Sequence, residues 1–336
     1  MTVLLTRSDI LRVLDVPAVL DALRHGFRQA SPVEPLRIRT ELPGPGTATA
    51  LLPGLIPGIP AYTVKVNAKF PGATPALRGV VCLHDLTDGT LLALLDSATI
   101  TAWRTGLAAA LATDLLAGAP DPAVPHSGTD LLAVEAGAAP RLGGTDRGAT
   151  VGVIGAGAQA EMTLAGLAAL RPVRRLVVHD RDPEHATRFL ARQGIPGVVV
   201  DSPQAVAAAA DVVVAATWSR EALLTAADLR PGLHLTTLGA DEPGKVEWSA
   251  DLLTAARVVV DDRALAVQMG ALGNVGLTAD AAHATLSEVL TGAVAGRRAD
   301  EVTVYAPVGL PWQDLAIAWP VFQAAQHNGQ TIDLLS

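Results

Sequence analysis

Gly155-Ala156-Gly157-Ala158-Gln159-Ala160 follows directly on the apolar run Val151-Gly152-Val153-Ile154, and a helical pattern (Met162, Leu164, Leu167, Leu170) comes next. A second apolar run, Leu176-Val177-Val178, ends at His179-Asp180, with Asp180 twenty residues after Ala160. This is the G-x-G-x-x-A form of the dinucleotide fingerprint. Gly155 permits the tight strand-to-helix turn. Gly157 lets the backbone approach a pyrophosphate, which rests on the unpaired N–H groups of the helix N-terminus around Ala158 and Gln159. Ala160 lets helix and strand pack closely. Asp180 is placed to accept hydrogen bonds from the adenosine ribose and to repel a 2′-phosphate, which favours NAD(H); Arg181, next in the chain, suits that phosphate and leaves NADP(H) as the lesser choice. Thr217, at the end of the fourth strand of this region, is placed to border the nicotinamide or its ribose. The glycines alone also fit an ordinary βα turn. The strand–turn–helix–strand–acid order is what makes them a nucleotide site, for a nicotinamide or a flavin.

These residues must be held by a doubly wound sheet. Between residues 150 and 262, short continuous apolar runs recur at 151–155, 176–179, 197–200, 211–217, 233–239 and 257–261 with helical segments between them, as expected for parallel strands buried on both faces. Before it the period changes. Residues 1–30 read as two short helices, the second with Asp15 as N-cap and Pro17 in its first turn. Residues 36–100 alternate as antiparallel strands, with Asp88-Gly89 as a hairpin-like turn. A helix rich in Ala and Leu is expected from Ile100 to Leu116. Residues 118–149, rich in Gly, Pro, Ala and Asp, read as a long loop or insertion. Val302–Tyr305 reads as a strand and Trp312–Gln326 as a helix that Pro320 should kink or split. The expected fold is α/β: a Rossmann-type doubly wound domain over 150–299, and an N-terminal α+β substrate and dimerisation domain over 1–117, completed by 300–336.

The 336 residues are half apolar and 17% charged, with net charge −8. Such a balance argues against a nucleic-acid or anionic-membrane partner. No apolar run suggests a membrane span, and the opening residues lack the pattern of a signal peptide, so the expected location is cytoplasmic. The single cysteine, Cys82, reads as a buried strand residue and excludes a disulfide framework. The histidines show no metal-ligand spacing, and no metal is expected. Ser8, Ser97 and Ser219 stand in no nucleophile motif. Three lysines, Lys65, Lys69 and Lys245, survive among many arginines.

Four segments together resemble the ornithine cyclodeaminase/μ-crystallin family: Thr63-Val64-Lys65-Val66-Asn67 running into Phe70-Pro71-Gly72; Thr101-Ala102-Trp103-Arg104-Thr105-Gly106; the glycine turn with its Gln159-Ala160 ending; and Gly239-Ala240-Asp241-Glu242-Pro243-Gly244-Lys245-Val246-Glu247. The resemblance implies NAD(P)-linked chemistry at the Cα of a small amino acid or cyclic imino acid, as a cyclodeaminase of ornithine or lysine or as a ketimine or imino-acid reductase. An alanine-type dehydrogenase and a non-catalytic nucleotide-binding protein are the alternatives. It also implies a homodimer formed through the N-terminal domain and a substrate lying between the domains. Carried over residue by residue, it makes Arg39 and Arg104 the carboxylate-binding arginines, Lys65 the pocket lysine and Asp241 the catalytic aspartate.

The chemistry suits these types. A bidentate guanidinium fits a planar carboxylate, and a positioned acid or base must serve the substrate nitrogen. Plainer readings stand beside them. Arg37 and Arg39 lie two apart, so on a regular strand both share one face, and only the resemblance selects Arg39. Asp241 also suits a cap before Pro243, Lys69 a rim charge, and Lys245 and Glu247 structural places in the Pro-Gly turn. Arg78 stands where relatives carry a neutral polar residue. It fits either an ion pair, with Asp85 as the candidate, or a second acidic group on the substrate. Trp103 and Trp218 are bulkier than expected at their positions.

Overall fold

The computed structural model describes residues 1–29, 33–118, 148–298, 300–326 and 329–334. The candidate insertion at 118–149 therefore lies almost wholly outside the described residues. The chain divides into two compact units, 1–107 with 309–336, and 108–308.

In the first unit β1 (Thr2–Leu5) leads into α1 (Arg7–Val13) and α2 (Val16–Arg28). Thr6 caps α1 in a reciprocal box with Asp9, and the Asp15 carboxylate caps α2 by accepting from Ala18 N. Then come β2 (Leu36–Glu41), β3 (Thr47–Gly54), β4 (Ala61–Lys69), β5 (Leu77–Asp85) and β6 (Leu91–Asp96), and α3 (Ser97–Leu116), within which the division between units falls. Strands β2 to β6 form an antiparallel meander. β1 was not expected from the sequence; four residues are too few to show a period. It pairs parallel with β6 and makes the sheet mixed.

The sheet's two faces differ in chemistry. Across β2, β3, β4 and β5 one row of partners is Arg37, Leu51, Lys65 and Val81, and the next is Arg39, Thr49, Asn67 and Gly79. On the opposite face, the row between them is Ile38, Ala50, Val66 and Val80, apolar yet 40–49% exposed at Ile38, Val66 and Val80. Cys82 lies on that outer face and is half-buried rather than buried.

In the second unit β7 (Ala149–Ile154), α4 (Ala158–Leu170), β8 (Val173–His179), α5 (Pro183–Gln193), β9 (Gly197–Val199), α6 (Pro203–Ala209), β10 (Val212–Ala215) and β11 (His234–Thr237) alternate. The unit continues with α7 (Ala250–Ala255), β12 (Arg257–Val260), α8 (Arg263–Gln268), α9 (Ala271–Asn274), β13 (Ala282–Thr285), α10 (Leu286–Leu290) and β14 (Thr303–Tyr305). All eight strands are parallel, in the order β13-β12-β14-β11-β10-β7-β8-β9. The order reverses between β7 and β10, the position where open α/β sheets bind ligands. One apolar layer, with Leu164, Leu167 and Phe189, covers one face; another, with Val206, Trp248 and Leu252, covers the other. β14 corrects the expected boundary at residue 300: the strand lies inside this parallel sheet, between β11 and β12, and the chain leaves the unit only after Val308.

The final segment, α11 (Trp312–Ala325) and β15 (Gln330–Ile332), belongs to the first unit. α11 stays one helix across Pro320, packs against α2 with Trp312 edge-on to Phe27 at 4.7 Å, and covers β3 to β5. No helix among the described residues is long and apolar enough to cross a membrane.

A buried polar chain crosses the second unit. His234 lies 2.8 Å by Nδ1 from Thr303 Oγ1 and 3.0 Å by Nε2 from Thr236 Oγ1; Thr303 donates to Leu116 O, and Thr236 meets Thr113 at 2.9 Å. Since the Thr303 proton is committed to Leu116, Nδ1 carries the imidazole proton and Nε2 accepts from Thr236. Burial, then the charges of Arg297 and Arg171, push His234 down to about 3. The folded value lies below the unfolded one, so this contribution to stability is complete above about pH 6.5 and is lost as pH falls towards 3, at up to about 1.4 kcal/mol per unit. The urea midpoint should therefore fall between pH 7 and 5. His234→Gln, which takes up no proton, should flatten that slope; parallel slopes would refute this account.

Candidate active site

The first unit gathers its buried charge around one carboxylate. Lys65, in mid-β4, and Asp314, in the first turn of α11, are each 1% exposed. Lys65 Nζ donates to Asp314 Oδ1 at 2.7 Å and to Thr101 Oγ1 at 3.4 Å. Arg104, on α3, has its Nε 3.6 Å from the same Oδ1 and donates by Nη1 to Gln313 Oε1 at 3.1 Å. Gln313 Oε1 also accepts from Leu310 N at 3.2 Å. Burial, then the charge of Arg104, pull Lys65 down; Asp314 pulls it back, Arg37 adds to the lowering, and the ammonium ends at about 7. A lysine so placed exchanges a proton near neutrality. Gly309, at φ +93°, gives Arg104 its room: a β-carbon there would collide with the guanidinium.

The sequence candidates are not all brought to this cluster. Arg104 and Lys65 are. Arg37, buried and in the Lys65 row, is the strand arginine whose charge acts on Lys65. Arg39 sits one row along, with Nη2 2.7 Å from Glu41 Oε1. The resemblance favours Arg39 over Arg37, and the register favours Arg37. Arg78 pairs with Ala68, so it faces the opposite side of the sheet from Lys65; it is exposed and donates to the Thr74 carbonyl rather than to Asp85. Asp314 and Gln313 are not singled out by the sequence analysis. The available signal was a charged residue inside the apolar helix Trp312–Ala325, the same argument that singles out Arg104.

In the second unit the glycine turn lies at the switch between β7 and β10. Gly155 has φ +88°, and a β-carbon on it would lie 2.6 Å from Ala216 O. Gly157 faces open space and caps α4 without a side-chain bond, so the N–H groups of Ala158, Gln159 and Ala160 open a thirteen-residue helix towards it. Asp180 accepts from Ala156 N at 2.9 Å and from Asp182 N at 3.0 Å, with His185 Nδ1 at 3.3 Å. Burial raises its pKa, but these hydrogen bonds and His185 outweigh burial and hold it below the usual carboxylate range. Arg181 is exposed beside it. An open backbone cradle with an ionised acid at the next strand end fits a dinucleotide.

Asp241 follows β11 in a turn anchored by Glu247. The Glu247 carboxylate accepts from Thr217 N, Thr217 Oγ1, Thr237 Oγ1 and Gly239 N, so it ties the ends of β10 and β11 together. Thr217 thus serves Glu247 in this structure. Burial raises Glu247 above the usual carboxylate range despite the four bonds. Asp241 Oδ1 is 3.1 Å from Lys245 Nζ, which also lies 3.5 Å from Glu242 and 4.6 Å over the half-exposed Trp218 ring. Burial lowers the pKa of Lys245, but the Asp241 and Glu242 carboxylates outweigh that, so Lys245 stays charged.

A strand-order switch, a glycine turn and a buried lysine–carboxylate–arginine cluster mark a nucleotide-linked α/β protein, and comparison with known proteins gives the family. The Ornithine cyclodeaminase/mu-crystallin family model matches residues 128–329, and the chain belongs to that family. L-lysine cyclodeaminase of Streptomyces rapamycinicus is 31% identical over 77% of this chain and 74% of its own. Delta(1)-pyrroline-2-carboxylate reductase of Bacillus cereus is 26% identical over 90% and 89%. Among solved structures, an archaeal alanine dehydrogenase dimer with bound NAD superposes with a TM-score of 0.82 at 25% identity, covering 99% of both chains.

Asp314→Ala should lower the unfolding free energy by about 3–5 kcal/mol, because it strands buried cations. Removing both charges, with Asp314→Leu and Lys65→Met, should recover at least about half of that loss in urea titrations. A loss below about 1 kcal/mol would deny the cluster its buried character.

Proposed function

We propose that this protein is an NAD(H)-dependent enzyme acting at the Cα of an amino acid or of the imine derived from it, as a cyclodeaminase or an imine reductase. The observation that carries the reading is the Lys65–Asp314–Arg104 cluster. It is a buried carboxylate-binding set in which a lysine titrates near 7, in a chain that also holds an open dinucleotide turn. Arg104 and Arg37 orient the substrate α-carboxylate by paired N–H donors. Lys65, held by Asp314, gives a proton to the imine side of the reaction and takes one from the amine side. Asp241, paired with Lys245, faces positive charge that develops on the substrate nitrogen. Bound NAD supplies the hydride acceptor and donor. Gly155, Gly157, Ala158, Gln159 and Ala160 seat it, and Asp180 takes the adenosine ribose. Thr217 and Arg181 remain at the edge of that site.

The enzyme acts as a homodimer in this reading. The support is the exposed apolar row of Ile38, Val66 and Val80, which calls for a cover of similar chemistry. Sedimentation should give a dimer, and Val66→Asp with Val80→Asp a folded monomer; a monomeric wild type would reject the role of this face.

The function is tested with L-lysine or L-ornithine and catalytic NAD. Ammonia release without net NADH marks a cyclodeaminase, stoichiometric NADH consumption with a cyclic imine marks a reductase, and NADH binding without turnover across an imine panel rejects both. NADH should exceed NADPH by roughly tenfold in kcat/KM, about 1.4 kcal/mol of barrier, through Asp180. In the reductive direction kcat/KM should fall as pH rises through 7, where Lys65 loses its proton, and Lys65→Arg should remove that break.

A further inference from the structure

One row along from Lys65, on the same face of the sheet, Arg39, Thr49, Asn67 and Gly79 stand side by side. Thr49 is 4% exposed and Asn67 5%, yet Thr49 Oγ1 and Asn67 Oδ1 have no hydrogen-bond partner. The Lys65 row shows that this layer accepts apolar side chains, Leu51 and Val81. Each unpaired polar atom costs about 1–3 kcal/mol when buried, so a ligand or water is needed to complete the row. Gly79 ends the row with φ +156°, and a β-carbon there would lie 2.8 Å from Asn67 Oδ1. A side chain at that position would press on the amide.

The charge on this face points to an anion. On this face strand positions Arg37, Arg39, Lys65 and Lys69 stand with Glu41 and, two rows beyond Lys65, Asp85; Arg104 and Asp314 add one charge of each sign, so the described residues here stand at +2. Successive rows on one face are about 6.5 Å apart. The two carboxyl carbons of a four- or five-carbon diacid span about 4–5 Å, and the flanking donors reach the rest.

We propose that Arg39, Thr49 and Asn67 form a second anion subsite, which receives the side-chain carboxylate of an amino- or imino-dicarboxylic acid. This rests on the reading above, which sets the α-carboxylate at Lys65, Arg104 and Arg37. The Thr49 hydroxyl donates to the incoming carboxylate. The Asn67 amide presents Nδ2 after a half-turn that costs no change of shape. Arg39 exchanges the exposed Glu41 for it. The rival arrangement leaves Arg39 on Glu41 and fills the row with water.

The test uses the full chain, with saturating NAD for the binding arm and NADH for the turnover arm. Calorimetry compares L-aspartate and L-glutamate with L-alanine and L-norvaline, and NADH turnover compares oxaloacetate plus ammonia with pyruvate plus ammonia. The dicarboxylic member of each pair should be preferred by about tenfold or more, and Thr49→Val or Asn67→Leu should cut that preference below about threefold while leaving the monocarboxylic values within about twofold. Equal wild-type affinities, or variants that weaken both series together, overturn the subsite. Selective binding with no turnover of any substrate keeps the subsite and removes the catalytic reading. Turnover without selectivity does the reverse.

Discussion

The Asp314 carboxylate is the constraint on which the first unit depends. Its Oδ1 meets an ammonium at 2.7 Å and a guanidinium at 3.6 Å, all three groups being buried, while Oδ2 is buried without a hydrogen-bond partner. Desolvating such a cluster costs more than its mutual attraction returns in most proteins, so a core of similar volume built from leucine and methionine would serve stability better. Its retention is therefore an argument about chemistry. Lys65 needs Asp314 to remain protonated as high as pH 7, and it needs burial and Arg104 to titrate as low as 7. A proton carrier results from the balance, and removing any one of these influences would move it out of the useful range.

The second unit solves a different problem, the placing of acids around a turn. Asp180 is stabilised in its ionised form by backbone N–H groups, including that of Ala156 within the glycine turn. Glu247 is spent on structure: it collects four hydrogen bonds that join the ends of β10 and β11. Asp241, six residues before it, stands on a turn that Glu247 fixes and pairs with the Lys245 ammonium. Gly239 is required there, because a β-carbon would run into Thr217 O and the Glu247 carboxylate. Three acids within one nucleotide unit thus have three tasks, set by what each can reach.

What the sequence made legible was local. The glycine turn, Asp180 and the buried parallel strands depend on neighbours within one βαβ unit, and spacing reveals them. Asp15 caps its helix through a bond to a residue three positions on. Asp314 was out of reach because its partner Lys65 is 249 residues away. β1, β13 and β15 have three or four residues each, too short for a period, and they exist because a neighbouring strand supplies their hydrogen bonds. β14 was legible as a strand, but its sheet was not, since a short buried run does not declare its partner.

Strand parity explains the remaining differences. Side chains alternate, so Arg37 and Arg39 had to share a face, and no count along the strand could choose between them. The cross-strand register chooses, because Arg37 aligns through Leu51 with Lys65 and Arg39 aligns with Asn67. The same parity places Arg78 three positions from Val81 and hence on the outer side, among residues that alternate with the charged ones. A one-residue slip of β2 against β3 would turn both strand arginines outward and bury Leu36 and Ile38 against Lys65. The exposed apolar row and the buried charged rows are therefore one feature of the sequence: each fixes the register that the other needs.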